Sequence, residues 1–196
     1  PKEQGALDQR PNEAQHLESV VEENKMPNLV IITGMSGAGR TEAMHVFEDM
    51  GYFCVDNLPA PLIADLVDLR APDVQGAQKT YTAVVCDARN HIYFEKLTHI
   101  ISELDKKGVD YRIVFLDAAD EKLVSRYKSS RRRHPLCDDG SSIGQGIVRE
   151  RMLLSSVAKR ADYIIDTTDM LPAQLHNRLR TLFGSEETRK TLSVSV

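Results

Sequence analysis

The chain has 196 residues, 41 per cent hydrophobic and 28 per cent charged, which is apolar material for one domain with an ordinary core. A formal net charge of −4 implies no global attraction to nucleic acid or an anionic membrane, although it leaves a local basic patch open. No apolar run approaches the roughly twenty residues of a membrane span, and the polar amino-terminal stretch is no secretory signal.

The three cysteines, Cys54, Cys86 and Cys137, are widely spaced and fit neither a disulfide framework nor a zinc site, so a reducing cytoplasm is the simplest setting. Cys54 and Cys86 fall inside apolar strand candidates and read as buried thiols. Residues 1–27 are charged and poor in large apolar side chains. They read as a flexible leader, with a short helix around Glu13 to Glu23 as the alternative. The first residue is not methionine, as in a trimmed product.

Leu29 to Thr33 is an uninterrupted apolar run ending at Gly34, the mark of a buried strand. A helix is expected from about Thr41 to Met50. The loop between them, Gly34-Met35-Ser36-Gly37-Ala38-Gly39-Arg40-Thr41, matches the phosphate-loop pattern G-x-x-x-x-G-K-[ST] at every position but one: Arg40 stands where lysine is usual. Gly34 and Gly39 permit turns that a Cβ resists, and Gly37 leaves room for close approach. Successive N–H groups then converge at the positive end of a helix, where a triphosphate fits. The Thr41 hydroxyl can ligate a magnesium ion. Arg40 keeps the charge but replaces a compact ammonium by a flat fork.

Tyr52 to Val55 reads as a second buried strand, broken by Asp56-Asn57-Leu58-Pro59, with Pro61 opening a helix through about Leu69. Asp56 lies just past the carboxyl end of a strand, where open parallel sheets bind ligands. It can meet a metal-bound water or a substrate hydroxyl, or simply close an Asx turn. Ala71 to Lys79 is a loop and Thr80 to Cys86 a third strand, running into Asp87-Ala88-Arg89-Asn90. An apolar strand ending in aspartate has the layout of a Walker-B element, with Asp87 as the second magnesium ligand. Arg89 can pair with a phosphate or with a nearby carboxylate.

His91 to Lys107 is an amphipathic helix, with Phe94, Leu97, Ile101 and Leu104 inward and Gly108 as its stop. Tyr111 to Leu116 is a fourth strand closing on Asp117, and Asp120 caps a helix from about Glu121 to Ser129. Arg126, Lys128, Arg131, Arg132, Arg133 and His134 make the only dense basic patch. It reads either as a mobile lid over phosphates or as a solvated helix end. Direct RNA contact is less favoured, since no aromatic is interleaved for stacking. Ile143 to Arg160 is a helix with Ile147, Met152, Leu153 and Val157 as its apolar face, Ala161 to Asp166 a last strand, and Pro172 to Phe183 a closing helix. Alternating strands and helices with continuous apolar strands give an α/β fold with a mainly parallel, three-layer sheet. After Gly184 a charged linker, 185–196, ends in the alternating Leu192 to Val196, which reads as the first strand of a further domain.

The strings GMSGAGRTEAMHVFEDMGYFCVDNLP, DARN, FLDAADEKLVSRYKSSRRRHPL and RADYIIDTTDM, in that order, resemble the amino-terminal domain of the RapZ family, RNase adapter and nucleotide-binding proteins also called YvcJ. The resemblance covers about Leu29 to Gly184 and implies a kinase-like P-loop domain that binds ATP and GTP with magnesium and hydrolyses them slowly. The phosphate site carries over onto Gly34 to Thr41, and the second nucleotide element onto Asp87, Ala88, Arg89 and Asn90. The resemblance implies that RNA contact belongs to a carboxyl-terminal domain, of which only the first strand, Leu192 to Val196, is expected in this sequence. A homo-oligomer is compatible with such a regulator. Arg40, Asp56 and Arg132 are the candidate catalytic side chains. A small-metabolite kinase is the alternative function, supported by Asp56 and the arginine run.

Overall fold

The computed structural model describes residues 27–70, 81–86, 91–131, 133–137 and 140–184, with side chains for all of these but 70 and 91–96. Expectations for the leader, the loop at 71–79, Asp87 to Asn90, Arg132, the side chain of Phe94 and the 185–196 tail lie outside the described residues. Five parallel strands form one sheet: β1 (Leu29–Gly34), β2 (Phe53–Val55), β3 (Thr82–Val85), β4 (Tyr111–Asp117) and β5 (Tyr163–Asp166). Their spatial order is β2-β3-β1-β4-β5. The helices are α1 (Arg40–Asp49), a 3-10 turn (Ala60–Leu62) leading into α2 (Ile63–Arg70), α3 (His91–Lys106), α4 (Asp120–Ser130), α5 (Ile143–Ala158) and α6 (Pro172–Phe183).

All six residues of β1 are buried, as a central strand covered on both faces requires. It pairs with β3 from Leu29↔Thr82 to Ile32↔Val85, and with β4 from Leu29↔Tyr111 to Gly34↔Leu116. The chain first builds outward from β1 towards β2 and later crosses back to β4. The carboxyl end of β1 is therefore the switch point at which such sheets open a crevice. α1 packs against α6, while α3 packs against both α2 and α5. A row of rings, Tyr81, Tyr52, Phe47, Phe183 and Tyr163, runs from the β3 side of the sheet to β5, with successive centroids 5.5, 5.0, 5.1 and 5.2 Å apart.

Three expectations need correction. β2 is not a buried strand: it is three residues long, lies at the sheet edge and leaves Phe53 43% exposed, because only β3 pairs with it. Cys54 is accordingly half-buried, whereas Cys86 is buried. Asp120 is not a cap, since Ala119 holds the N-cap position of α4 and makes no side-chain bond. The Asp120 carboxylate instead binds Arg151 at 2.6 Å, and the same guanidinium reaches both oxygens of Asp117 at 2.9 Å. The buried stripe of α5 is Ile147, Glu150, Leu154 and Val157. Met152 points out, 72% exposed, and Leu153 is half-buried.

Candidate phosphate-binding site

The loop from Met35 to Gly39 leaves the crevice at the end of β1 and turns directly into α1. Gly34 is held at φ 130° against β4, where an added Cβ would stand 2.1 Å from the Leu116 carbonyl oxygen. The same carbonyl accepts the Met35 N–H at 2.9 Å. Close approach is thus the task of Gly34 rather than of Gly37, whose added Cβ would make only an ordinary 3.5 Å contact with Tyr127. Gly37 is required instead by its φ of +89°.

Gly39 occupies the N-cap of α1 at φ 104°, and no side chain caps the helix among the described residues. The first-turn amides of a helix have no intrahelical acceptors, so an uncapped start presents donors and positive potential together. Two loop carbonyls are held by side chains from α4 and from the segment after β5. Arg126 Nη1 donates to the Gly37 oxygen at 2.9 Å, and the Thr167 hydroxyl lies 2.9 Å from the Ala38 oxygen. In a trans peptide the C=O and the following N–H point in opposite directions, so the Thr167 contact aims the Gly39 N–H away from Thr167.

A cavity of about 360 Å³ opens there, lined by the loop, Thr41 and Glu42 on one side and by Arg126, Tyr127, Ser130, Arg133 and Pro135 on the other. Arg40 reaches across its floor: Nη1 donates to the Cys86 carbonyl at 3.3 Å and Nη2 to the Ser36 hydroxyl at 3.2 Å. The loop is thereby tied to the carboxyl end of β3, immediately before Asp87. Met35 and Ala38 bury their side chains in the core, and their N–H groups donate to the Leu116 and Met35 carbonyls at 2.9 and 3.0 Å, so neither lines the cavity.

The basic patch divides. Arg126 is a fixed strut, since Nη2 also donates to the Thr167 carbonyl at 2.6 Å. Arg131 is exposed at the left-handed end of α4, and Arg133 lines the cavity. His134 does not belong to a cationic surface: it is 1% exposed and sits beneath α5. Gly146 makes room for it, because an added Cβ there would come within 2.7 Å of both His134 Nδ1 and Cys137 Sγ. Asp56 is exposed in the turn after β2, and Leu58 N–H donates to the Val85 carbonyl at 3.1 Å, which brings that turn to the end of β3. Asp117 faces Arg151 and is not in the cavity lining.

Two groups at the site have no counterpart in the sequence reading. Glu150 is fully buried, accepts the Ser36 N–H at 3.0 Å and the Ser36 hydroxyl at 2.6 Å, and lies 3.2 Å from His134 Nε2. Thr167, also buried, joins the loop to the start of the segment leading into α6. Next to it, bonds from the Thr168 hydroxyl and N–H hold the Asp166 carboxyl below its ordinary range.

The model of the RapZ-like N-terminal domain matches residues 27–187. A nucleotide-binding protein of Moorella thermoacetica is 48% identical over 173 residues, which is 88% of this chain and 58% of that protein. One from Carboxydothermus hydrogenoformans is 43% identical over 167 residues, 85% of this chain and 57% of its own length. The chain thus spans a little over half the length of these relatives. Among solved structures, the tunicamycin resistance protein of Deinococcus radiodurans superposes with a TM-score of 0.52 at 16% identity, covering 82% of this chain and 97% of that one. Shikimate kinase from Acinetobacter baumannii in complex with shikimate gives 0.50 at 15% identity, covering 83% and 95%. At such identities the likeness is one of fold, and it agrees with the strand order and the loop at the end of β1. The chain belongs to the RapZ-like N-terminal domain family, and its fold is a P-loop, kinase-like α/β sheet.

Proposed function

We propose that this domain binds ATP and GTP with magnesium, hydrolyses them slowly, and serves as the regulatory nucleotide module of a longer, cytoplasmic, RNase-adapter-like protein. The observation that carries the reading is the uncapped start of α1 opening into a cavity walled by Arg40, Arg126 and Arg133. Amides there bind the phosphates, while the guanidiniums neutralise charge on the outer oxygens. Arg40 and Arg132 are the proposed stabilisers of charge developing at the terminal phosphate, and Asp56 is the proposed partner of the attacking water.

The magnesium site is read from donor chemistry. Thr41 supplies a hard hydroxyl oxygen on the cavity wall. An ion held largely by substrate phosphates needs only one or two protein ligands. Thr41 and Asp87 would hold it, and when bound it neutralises charge across the phosphates. RNA contact is assigned to the part of the relatives that this chain does not cover, and a homo-oligomer is compatible with the reading. No helix among the described residues is long and apolar enough to cross a membrane.

The test is calorimetric titration with ATP and GTP, with and without magnesium, together with phosphate release. Binding that depends on magnesium, with water as the phosphate acceptor, is expected. No heat from either nucleotide would overturn the reading. The second reading, a small-metabolite kinase, is favoured by the exposed Asp56 beside the end of β3. Release of phosphate that collapses when a hydroxylated metabolite is added, with a phosphorylated product appearing, would select it.

A further inference from the structure

A carboxylate with no exposed surface needs donors that repay its desolvation. Glu150 has three. The Ser36 N–H and hydroxyl donate to its two oxygens, and His134 supplies the third from Nε2. The direction of the third bond is fixed on the other side of the ring. The Leu136 N–H donates to His134 Nδ1 at 3.2 Å, so Nδ1 is the acceptor and Nε2 carries the hydrogen. Ser36 closes the other end, accepting from Arg40 Nη2 while donating to Glu150. A continuous polar chain thus runs from Arg40 in the cavity, through Ser36 and Glu150, to His134.

The two neighbours of His134 are Arg133 and Pro135, and both line the cavity. His134 itself is locked by Glu150, by the bare Gly146 surface of α5 and by the Tyr127 ring, whose centroid is 5.0 Å away. The floor of the phosphate loop and the opposite basic wall therefore share one buried anchor.

We infer that Ser36, Glu150 and His134 are positioning residues that set Arg133 against the anion held by the phosphate loop. This rests on the nucleotide reading of the site. A flexible arginine gains little from a phosphate if its own ordering must be done at binding, and a backbone fixed at the adjacent His134 removes part of that cost. The chain also works in reverse: an anion that settles the loop settles Ser36, and through Glu150 the Arg133 wall.

The experiment is a double-mutant cycle on magnesium–ATP affinity, read by calorimetry. Arg133→Gln is expected to weaken binding roughly tenfold, the scale of one lost charge-assisted hydrogen bond. His134→Ala, which lines no part of the cavity, is expected to lose several-fold. The double variant should lose no more than Arg133→Gln alone, because without its anchor the arginine has already been wasted. His134→Gln, which can again present an N–H to Glu150, should recover most of the loss, and Ser36→Ala should resemble His134→Ala. Leu136→Ala removes another buried side chain of the same segment that is not a cavity wall. It should lower thermal stability without changing affinity, which separates positioning from mere folding. Losses that multiply in the double variant, or His134→Ala that stays folded and binds as the unaltered chain does, would overturn the inference while leaving the nucleotide reading intact. Absence of binding by the unaltered chain would overturn both.

Discussion

Two cavities of similar size lie at opposite ends of the sheet, about 360 Å³ at the carboxyl end of β1 and about 390 Å³ at the amino ends of β4 and β5. The second is the more charged, with Asp105, Asp110, Arg112, Arg160 and Asp162 in its lining. Yet its groups are committed to one another. Arg160 binds Asp105 at 2.8 Å, Arg112 binds Asp110 at 3.2 Å, the Tyr111 hydroxyl donates to Asp105, and Asp162 accepts the Ile113 N–H at 2.7 Å. At the carboxyl end the lining carboxylate, Glu42, faces His176 at 3.3 Å, and the helix start beside it has no side-chain cap among the described residues. Charge alone does not make a ligand site. What distinguishes the cavity at the carboxyl end is the start of α1, whose amides have no side-chain cap among the described residues.

The largest break in this contrast is Gly34→Ala. A Cβ placed 2.1 Å from the Leu116 carbonyl oxygen, at a positive φ, cannot be relieved by a side chain moving aside. A loss of about 3 kcal/mol or more in urea unfolding is expected, with nucleotide binding lost as well. Next come paired truncations. Arg126→Ala removes the side-chain donor that ties the Gly37 carbonyl to Thr167 and should weaken nucleotide binding roughly tenfold. Arg160→Ala, at the opposite end, should leave affinity unchanged and cost under about 1 kcal/mol of stability, as a solvated ion pair does. Equal effects of the two on affinity would erase the distinction between the cavities.

Arg40→Lys sharpens it more gently. It should raise hydrolysis while holding nucleotide affinity within about tenfold, 1.4 kcal/mol. Loss of binding would mean that the guanidinium's bonds to Cys86 and Ser36 shape the loop itself. The smallest effect belongs to the amino end and to alkali. Burial first, then the bond to Asp105, pushes the Tyr111 phenol from 10.0 to about 12. Its folded form therefore keeps a proton that the unfolded chain sheds, and the stability this represents is present below pH 10 and is lost as pH rises towards 12. Tyr111→Phe should make the alkaline decline in stability shallower without altering nucleotide affinity.

Much of this was legible in the sequence because it is local. The Leu29 to Thr33 run, the glycines after it and the α6 boundaries at Pro172 and Phe183 follow from neighbours in the chain. The rest depended on distant partners. Glu150 lies in the inward stripe of α5, but a glutamate reads as solvated unless its donors are known, and its first donor, Ser36, is 114 residues away. Met152 and Leu153 therefore seemed the better core residues. His134 ends an arginine run and reads as one more cation, although the aromatic Tyr127 and the bare Gly146 that bury it lie seven residues before it and twelve after. The edge position of β2 is a matter of strand order, which no local pattern encodes.

The central claim is that the backbone amides of Gly37, Gly39, Arg40 and Thr41 hold the anion and that side chains assist. It is tested most directly by following backbone amide resonances during titration with magnesium–ATP. Large shifts confined to Gly37, Gly39, Arg40 and Thr41, with Asp105, Tyr111 and Asp162 unmoved, are the predicted result. Saturable binding that leaves those loop amides unperturbed, or that shifts the residues at the amino end of the sheet instead, would contradict it.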